Sequence, residues 1–450
     1  MIERITGLLQ DNLKLVLNAG SLVGTTGITS ILGVAYWWLA AQQFAPAAVG
    51  FGSAAIAAMM LLGAVGKLGL DTLLVGELPR QPERQAALIV TALVVAGSVG
   101  AGLGVLFGSL TPLFATDLAL LGTDLGVLLL FASGVGLTAS VLVLDQAQIG
   151  LLQGRVQLQR NTIFAAGKLL ALFLAGIWLV EYGGIIIYAA WVVGIVLSLM
   201  WMIRPAWRHY DWRTLVQPQL IRLLGPSAIA HSVFNIALQA AALALPILVT
   251  VLHSATLNAS FYVAWMIASF AFTLLSALTI TLYAVSATDP SQLAQRIRFT
   301  LGISLLACIG AIVVVFPLAD HLLRVFGESY AADAAWCLRL LLLGGFGLML
   351  KHHYSTLCRI QQRVAQNIPL MLGAAGLELG LAGLGLWWAG LSGLAVGWVV
   401  AMTLEGAVML PAVYQAMRGT LPLHAGSALA RGEGARLAVA AASPAPERHE

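Results

Sequence analysis

QNIPLMLGAAGLELGLAGLGLWWAGLSGLAVGWVVAMTLEGAVMLPAVYQ, residues 366–415, carries only two charged side chains, Glu378 and Glu405. Arg359 and Arg363 precede it and Arg418 follows it. As helix, at 1.5 Å per residue, it is long enough to cross a ~30 Å hydrocarbon core twice. Trp387 and Trp388 stand at its middle, where amphipathic rings favour the headgroup level. The stretch therefore reads as a hairpin of two spans, 366–389 and 391–415, with both open ends on the basic side of a membrane.

Working outward, the same alternation repeats along the chain. Further spans fall near 19–43, 50–76, 86–109, 122–145, 161–181, 184–204, 220–252, 257–284, 298–319 and 334–353. All but two of the 23 Lys and Arg lie in every second connection, leaving Arg324 and Arg339 for the opposite side. By the positive-inside rule this gives an even number of crossings with both termini cytoplasmic, a multi-pass protein of a bacterial cytoplasmic membrane. Charged residues make up 9% of the chain and apolar ones 60%, against roughly 25% charged in soluble domains. The net charge of +4 records topology; no basic stripe with interleaved stacking residues points to nucleic acid. Cys308, Cys337 and Cys358 stand singly, without metal-ligand spacing.

The expected fold class is an all-α polytopic membrane protein with about 12 transmembrane helices. Residues 1–18 read as an amphipathic segment at the membrane surface, and 416–450, rich in Gly, Ala, Pro and charge, as a disordered cytoplasmic tail. A cytoplasmic linker, 205–219, separates an N-lobe (19–204) from a C-lobe (220–415). A shift of 208 residues lays Ala45–Gly50 over His253–Asn258 and Arg155-Val156 over Arg363-Val364, each pair between equivalent spans. Six spans per half make the repeats parallel, so two six-helix bundles should face one another across a central cavity. Trp37 and Trp38 read as outer anchors, and Trp201, Trp207 and Trp212 as inner ones. Gly100, Gly104 and Gly108, like Gly376 and Gly380, have the spacing that lets helices approach closely. Pro246 and Pro411 should kink or interrupt their spans.

No phosphate-binding G-x-x-x-x-G-K-[ST] string occurs. The outer acids Asp117, Asp124, Asp320, Glu328 and Asp333 are scattered on short connections with no D-x-D. Transport without enzymatic chemistry, and without a cofactor, is the expected function class.

Asn18–Gly24 through Trp37-Trp38-Leu-Ala-Ala and Phe44-Ala-Pro-Ala-Ala-Val-Gly50 resembles the opening of polysaccharide-export (O-antigen-type, Wzx-like) flippases. These belong to the multidrug/oligosaccharidyl-lipid/polysaccharide (MOP) exporter superfamily. Gly150–Asn161 is similar to their fourth inward connection, and Val325–Tyr330 with Leu338-Arg339-Leu340 to their outer turn before span 10. The resemblance implies a flippase that carries a polyprenyl-diphosphate-linked oligosaccharide outward for surface polysaccharide synthesis, coupled to H+ or Na+. It implies membrane lipids and a polysaccharide polymerase or glycosyltransferases as partners. The uncharged span 1 and the count of twelve depart from the peptidoglycan-precursor branch, and the absence of an acid in spans 1 and 7 departs from many multidrug members. An ion-coupled amphiphile antiporter on the same scaffold and a non-transporting membrane scaffold stand as alternatives.

Such a substrate needs cations for its diphosphate and many weak hydrogen bonds for its sugars. The candidate diphosphate ligands are Lys67, Arg222 and Arg339. Ser21, Thr25 and Thr29 in span 1, and His231, Asn235 and Gln239 in span 7, recur every fourth residue and so share one helical face each; they are the candidate glycan-cavity residues. Hydroxyl back-bonding to the preceding turn is the competing reading for the first set. A Lys67–Asp71 ion pair competes for Lys67. Glu378 and Glu405 lie deep in spans 11 and 12, where carboxylates are rare and usually functional, and are the candidate ion-coupling residues.

Overall fold

The computed structural model describes residues 29–206, 217, 226–288 and 292–420. Ser21, Thr25 and Arg222, the amphipathic segment, nearly all of the linker and all but the first few residues of the tail lie outside the described residues. In chain order the helices are α1 (29–43), α2 (Pro46–Gly66), α3 (Leu70–Glu77), α4 (Gln85–Phe114), α5 (Leu120–Thr123), α6 (Leu125–Gly150), α7 (Gly154–Trp178) and α8 (Gly184–Ala206). The second half contains α9 (Pro226–Leu252), α10 (Ala255–Thr288), α11 (Leu293–Arg324), α12 (Glu328–Leu343) and α13 (Gly345–Ile360). The stretch Ile368–Met417 is broken by non-helical Ala389 and Gly390; we name its two parts α14 and α15. No strand occurs among the described residues.

α12 and α13 form one crossing bent by 45°, and α3 and α5 are short connecting helices. Among the described residues nine helices are long and apolar enough to cross a membrane, ten with this bent pair. With α1 added and α14 counted apart from α15, the arrangement fits about twelve helices in an N-bundle (α1–α8) and a C-bundle (α9–α15). All-helical construction satisfies every backbone group within its own segment, which a lipid solvent demands. α2 is buried along most of its length and packs on α6 and α8 of its own bundle and on α9 and α10 of the other.

The backbone repeats between the halves. Leu152 (φ 54°) and Gln362 (φ 56°) are left-handed non-glycine residues that end α6 and α13. Each is followed by the same closing bond, Gln153 N–H to Gln148 O and Arg363 N–H to Cys358 O, both 2.8 Å. Gly183 (φ 62°) and Gly390 (φ 61°) turn the chain into the last crossing of each half, a conformation that favours glycine. The two bundles meet where the 208-residue shift pairs Gly50 with Asn258: the Asn258 amide donates to Gly50 O (2.9 Å) and Ser53 Oγ (3.0 Å). A Cβ on Gly50 would lie 1.6 Å from the Ala255 carbonyl oxygen, so only glycine permits this approach. At the far end of α2, Gly69 lies against Ala228 of α9.

Several expectations need correction. The second span ends at Gly66 rather than continuing to 76, because Leu68 (φ 52°) and Gly69 (φ 85°) break the helix. The fifth span starts at Gly154 rather than 161, which draws Arg160 into the helix that also carries Lys168. The tenth is longer than 334–353, running from Glu328 to Ile360 with a bend, so that Lys351 lies well inside it. Arg160 reads as a span boundary until its partner Asp145, 2.6 Å away, is known; within their spans Lys351 meets Glu378 and Glu405, and Lys168 meets aromatic rings. Trp37 is a core residue packed at a tilt against Tyr262 (ring centres 4.5 Å apart) rather than an interfacial anchor, whereas Trp387 and Trp388 are 85% and 84% exposed. Gly100 and Gly104 do seat α4 on α6, their Cβ positions falling within 2.9 Å of Ala139 and Ala132. Gly376 and Gly380 face open space. Helices α9 and α15 run on through Pro246 and Pro411.

Candidate functional site

Three centres stand out: two polar ones in the C-bundle and a largely apolar cavity between the bundles. The first joins α13, α14 and α15. Lys351 Nζ bonds Glu378 Oε1 and lies 3.0 Å from Glu405 Oε2, while the Trp398 indole N–H donates to Glu378 Oε2 at 2.9 Å. The three ionisable side chains are all buried. Lys351 and Glu405 form an ion pair without a hydrogen bond to either Glu405 oxygen. One ammonium shared by two carboxylates leaves the cluster one negative charge in excess. A buried cluster with such an excess attracts a single proton or small cation, because the low-dielectric surroundings penalise the uncompensated charge. His352 and His353 follow on α13, the first near Ser276 Oγ (3.3 Å) and the second near Thr300 Oγ1 (3.1 Å). Both neighbours are neutral.

The second centre is a cavity of ≈ 480 Å³ at the basic end of the bundle, lined by His231, Tyr283, Arg359 and Gln362 among others. α9 supplies His231 and α13 supplies Arg359. The guanidinium donates to Asn235 Oδ1 at 2.8 Å and lies 5.9 Å from the Phe234 ring centre. Among the described residues no carboxylate reaches Arg359, and none lines this cavity. Of the α9 stripe, His231 and Asn235 thus converge on one guanidinium. Gln239 is exposed and folds back onto Asn235 O of its own helix (3.4 Å).

The third centre is a cavity of ≈ 250 Å³ between the bundles, walled by Ile56, Met60, Trp191, Pro246, Tyr262 and Trp265. Trp265 continues from this wall to Trp398, 5.1 Å away and edge-on, so one aromatic pair separates the cavity from the Glu378 carboxylate.

The remaining candidates lie elsewhere. Lys67 caps the C-terminus of α2 and holds Asp71 at 2.6 Å. Arg339, on α12, holds Asp320 of α11 and Phe316 O. Thr29 is half-buried at the first described turn of α1. The structure thus brings Glu378 and Glu405 together, and His231 with Asn235, but does not join Lys67 to Arg339. Sequence reasoning missed Lys351, Trp398 and Arg359. The signal for Lys351 was charge balance, since two acids at membrane depth require a cation at the same depth.

No family model matches the chain, and no curated protein matches its sequence. Solved structures do match its fold. An inward-facing multidrug resistance MATE family transporter of the MOP superfamily superposes with a TM-score of 0.64 at 14% identity, covering 89% of this chain and 98% of that one. The lipid II flippase MurJ gives 0.63 at 15% identity, covering 87% of each chain. A MOP superfamily transporter from Pyrococcus furiosus gives 0.63 at 11% identity, over 90% of this chain and 96% of that one. With about twelve helices in two bundles and this superposition over most of its length, the chain has the fold that MATE exporters and the MurJ flippase share.

Proposed function

We propose that this protein is a flippase for a polyprenyl-diphosphate-linked oligosaccharide, moving it from the cytoplasmic to the outer leaflet for surface polysaccharide synthesis. The observation that carries this reading is Arg359. It is a guanidinium at the basic end of the bundle, in a cavity with hydrogen-bonding neighbours and no acid. Among the described residues no carboxylate lines this cavity or the one between the bundles, which favours an anionic over a cationic guest. An anionic, hydroxyl-rich headgroup needs a guanidinium and neutral donors, which Arg359, His231 and Asn235 supply. Lys67 and Arg339 are already engaged by carboxylates, which favours Arg359 as the entry ligand for the diphosphate.

The basic end is the cytoplasmic face in this reading, following the positive-inside rule. The N-lobe and C-lobe rock about the α2–α10 contact at Gly50 and Asn258, exposing the inter-bundle cavity alternately to each side. The Lys351–Glu378–Glu405 cluster takes up one H+ or Na+ per cycle, and Trp398 and Trp265 link its occupancy to the cavity wall. A polysaccharide polymerase or glycosyltransferases are the partners such a substrate brings.

The test is a flipping assay in proteoliposomes with an imposed H+ or Na+ gradient. The fluorescent polyprenyl-diphosphate oligosaccharide should become accessible to an impermeant quencher faster than in empty vesicles, and R359A should slow this at least tenfold. Gradient-driven export of lipophilic cations, with no flipping of the glycan lipid, would move the reading to amphiphile antiport.

A further inference from the structure

Lys168, on α7, is 3% exposed. Its ammonium sits 3.3 Å from the centre of the Trp191 ring, 4.8 Å from Phe164 and 5.0 Å from Tyr36. No carboxylate pairs with it among the described residues, unlike Lys67, Arg160, Arg339 and Lys351. Ring faces attract a cation, but they do not carry a compensating charge. A buried ammonium without a counter-ion is a standing penalty in the resting protein, and a structural role would be served better by an apolar side chain of the same length. Gly194 of α8 presses against the base of this lysine, where a Cβ would come within 2.7 Å of Lys168 Cβ. The stem is therefore fixed, and the freedom left to the residue is in its head.

The head lies between a core ring, Tyr36, and a partition, Trp191. Trp191 forms part of the wall of the inter-bundle cavity, so a single indole ring shared by both compartments separates the ammonium from that space. The internal repeat adds an independent observation. The separation that relates Leu152 to Gln362 also carries Lys168 onto Glu378, and the one that relates Gly183 to Gly390 carries Trp191 onto Trp398. The two bundles thus hold an ionic side chain against a tryptophan in equivalent niches, with opposite sign: an indole N–H to a carboxylate in the C-bundle, an indole face to an ammonium in the N-bundle. The carboxylate has its counter-ion within the protein; the ammonium lacks one.

We propose that Lys168 is a phosphate-binding residue held behind Trp191, which extends into the inter-bundle cavity to pair with the phosphate of a lipid headgroup passing through it. This deepens the reading above, and rests on it, by placing a second station for the anionic group after Arg359. The shared chemistry is a phosphate-bearing lipid head. Its source is either the polyprenyl-diphosphate oligosaccharide or an anionic phospholipid of the bilayer.

The experiment uses the full chain with Cys308, Cys337 and Cys358 replaced by Ala, and Ser269→Cys introduced in the cavity wall. Labelling of that cysteine by a small thiol reagent is followed in phosphatidylcholine vesicles, in vesicles containing phosphatidylglycerol, and with added polyprenyl-diphosphate oligosaccharide. The glycan lipid is expected to slow labelling at least fivefold. That protection should be lost in K168M and largely kept in K168R, and K168M should retain an unfolding temperature at or above that of its parent. Equal protection by phosphatidylglycerol alone, also abolished by K168M, assigns the same site to bilayer phospholipid. Protection that is unchanged in K168M, or absent with every phosphate lipid, overturns the proposal. Because labelling requires no transport, a parent protein that shows Lys168-dependent protection but no flipping refutes the flippase reading and leaves the phosphate site standing. A parent that flips the glycan lipid equally well with K168M does the reverse.

Discussion

The two bundles solve the problem of a buried lysine in different ways. In the C-bundle Lys351 is shared between Glu378 and Glu405, so the centre has one negative charge too many. In the N-bundle Lys168 has only the faces of Trp191, Phe164 and Tyr36, so its ammonium form is one positive charge without compensation. Lys168 and Glu378, which the internal repeat relates, thus carry opposite charge. A centre of negative excess takes up a cation, and one of positive excess takes up an anion. The pair offers separate places for a coupling ion and for a phosphate-bearing substrate within one internally repeated scaffold.

The comparison breaks most visibly at Lys351. Replacing it by Met strands two buried carboxylates, and we expect a loss of about 3–5 kcal/mol, read as a large fall in the unfolding temperature in detergent. The triple variant K351M/E378Q/E405Q removes all three charges and should recover most of that loss. If it does not, packing rather than charge pairing holds α13, α14 and α15 together.

The contact between the bundles comes next. G50A forces a Cβ into the Ala255 carbonyl and should destabilise by about 1–3 kcal/mol. N258A leaves the Gly50 carbonyl and Ser53 hydroxyl without that amide, at about 1–2 kcal/mol. Both should shift the balance between inward- and outward-open states, measurable by spin-label distances across the two bundles. Unchanged distance distributions in both variants would remove α2–α10 as the pivot.

K168M is expected to act in the opposite sense on stability. Removing an uncompensated buried charge should leave the unfolding temperature equal or higher, while flipping falls at least tenfold. A marked drop in stability would mean that the aromatic box itself needs the cation. The smallest effect should come from K67M/D71N. Replacing both partners of an ion pair is nearly neutral, so stability should stay within about 1 kcal/mol and flipping within about twofold.

Much of this architecture is legible in the sequence. The hairpin of residues 366–415 turns at Ala389 and Gly390, between the two expected spans, because the paired tryptophans and the glycine mark an interface and a turn. The 208-residue shift found Gly50 and Asn258, which then proved to touch. Glu378 and Glu405 stood out because their depth could be counted along an apolar run. Arg160 was hidden by the rule that made the topology readable, since it places that arginine in a loop; Lys168 and Lys351 lie inside expected spans, but near their ends, where a cation reads as snorkelling to water. Lys351 and Glu378 are 27 residues apart, on different crossings, and no local pattern announces such a pairing. Trp37 misled for a related reason: an indole beside Trp38 looks interfacial until its own face of α1 is known to point at Tyr262.

The most direct test of the division between the two centres compares K168M and E405Q in the gradient-driven flipping assay. Raising the glycan-lipid concentration should restore flipping in K168M, whose lesion is in substrate binding, and should leave E405Q slow and indifferent to the imposed gradient. Identical responses of the two variants to substrate and to gradient would contradict the assignment of anion and coupling ion to opposite bundles.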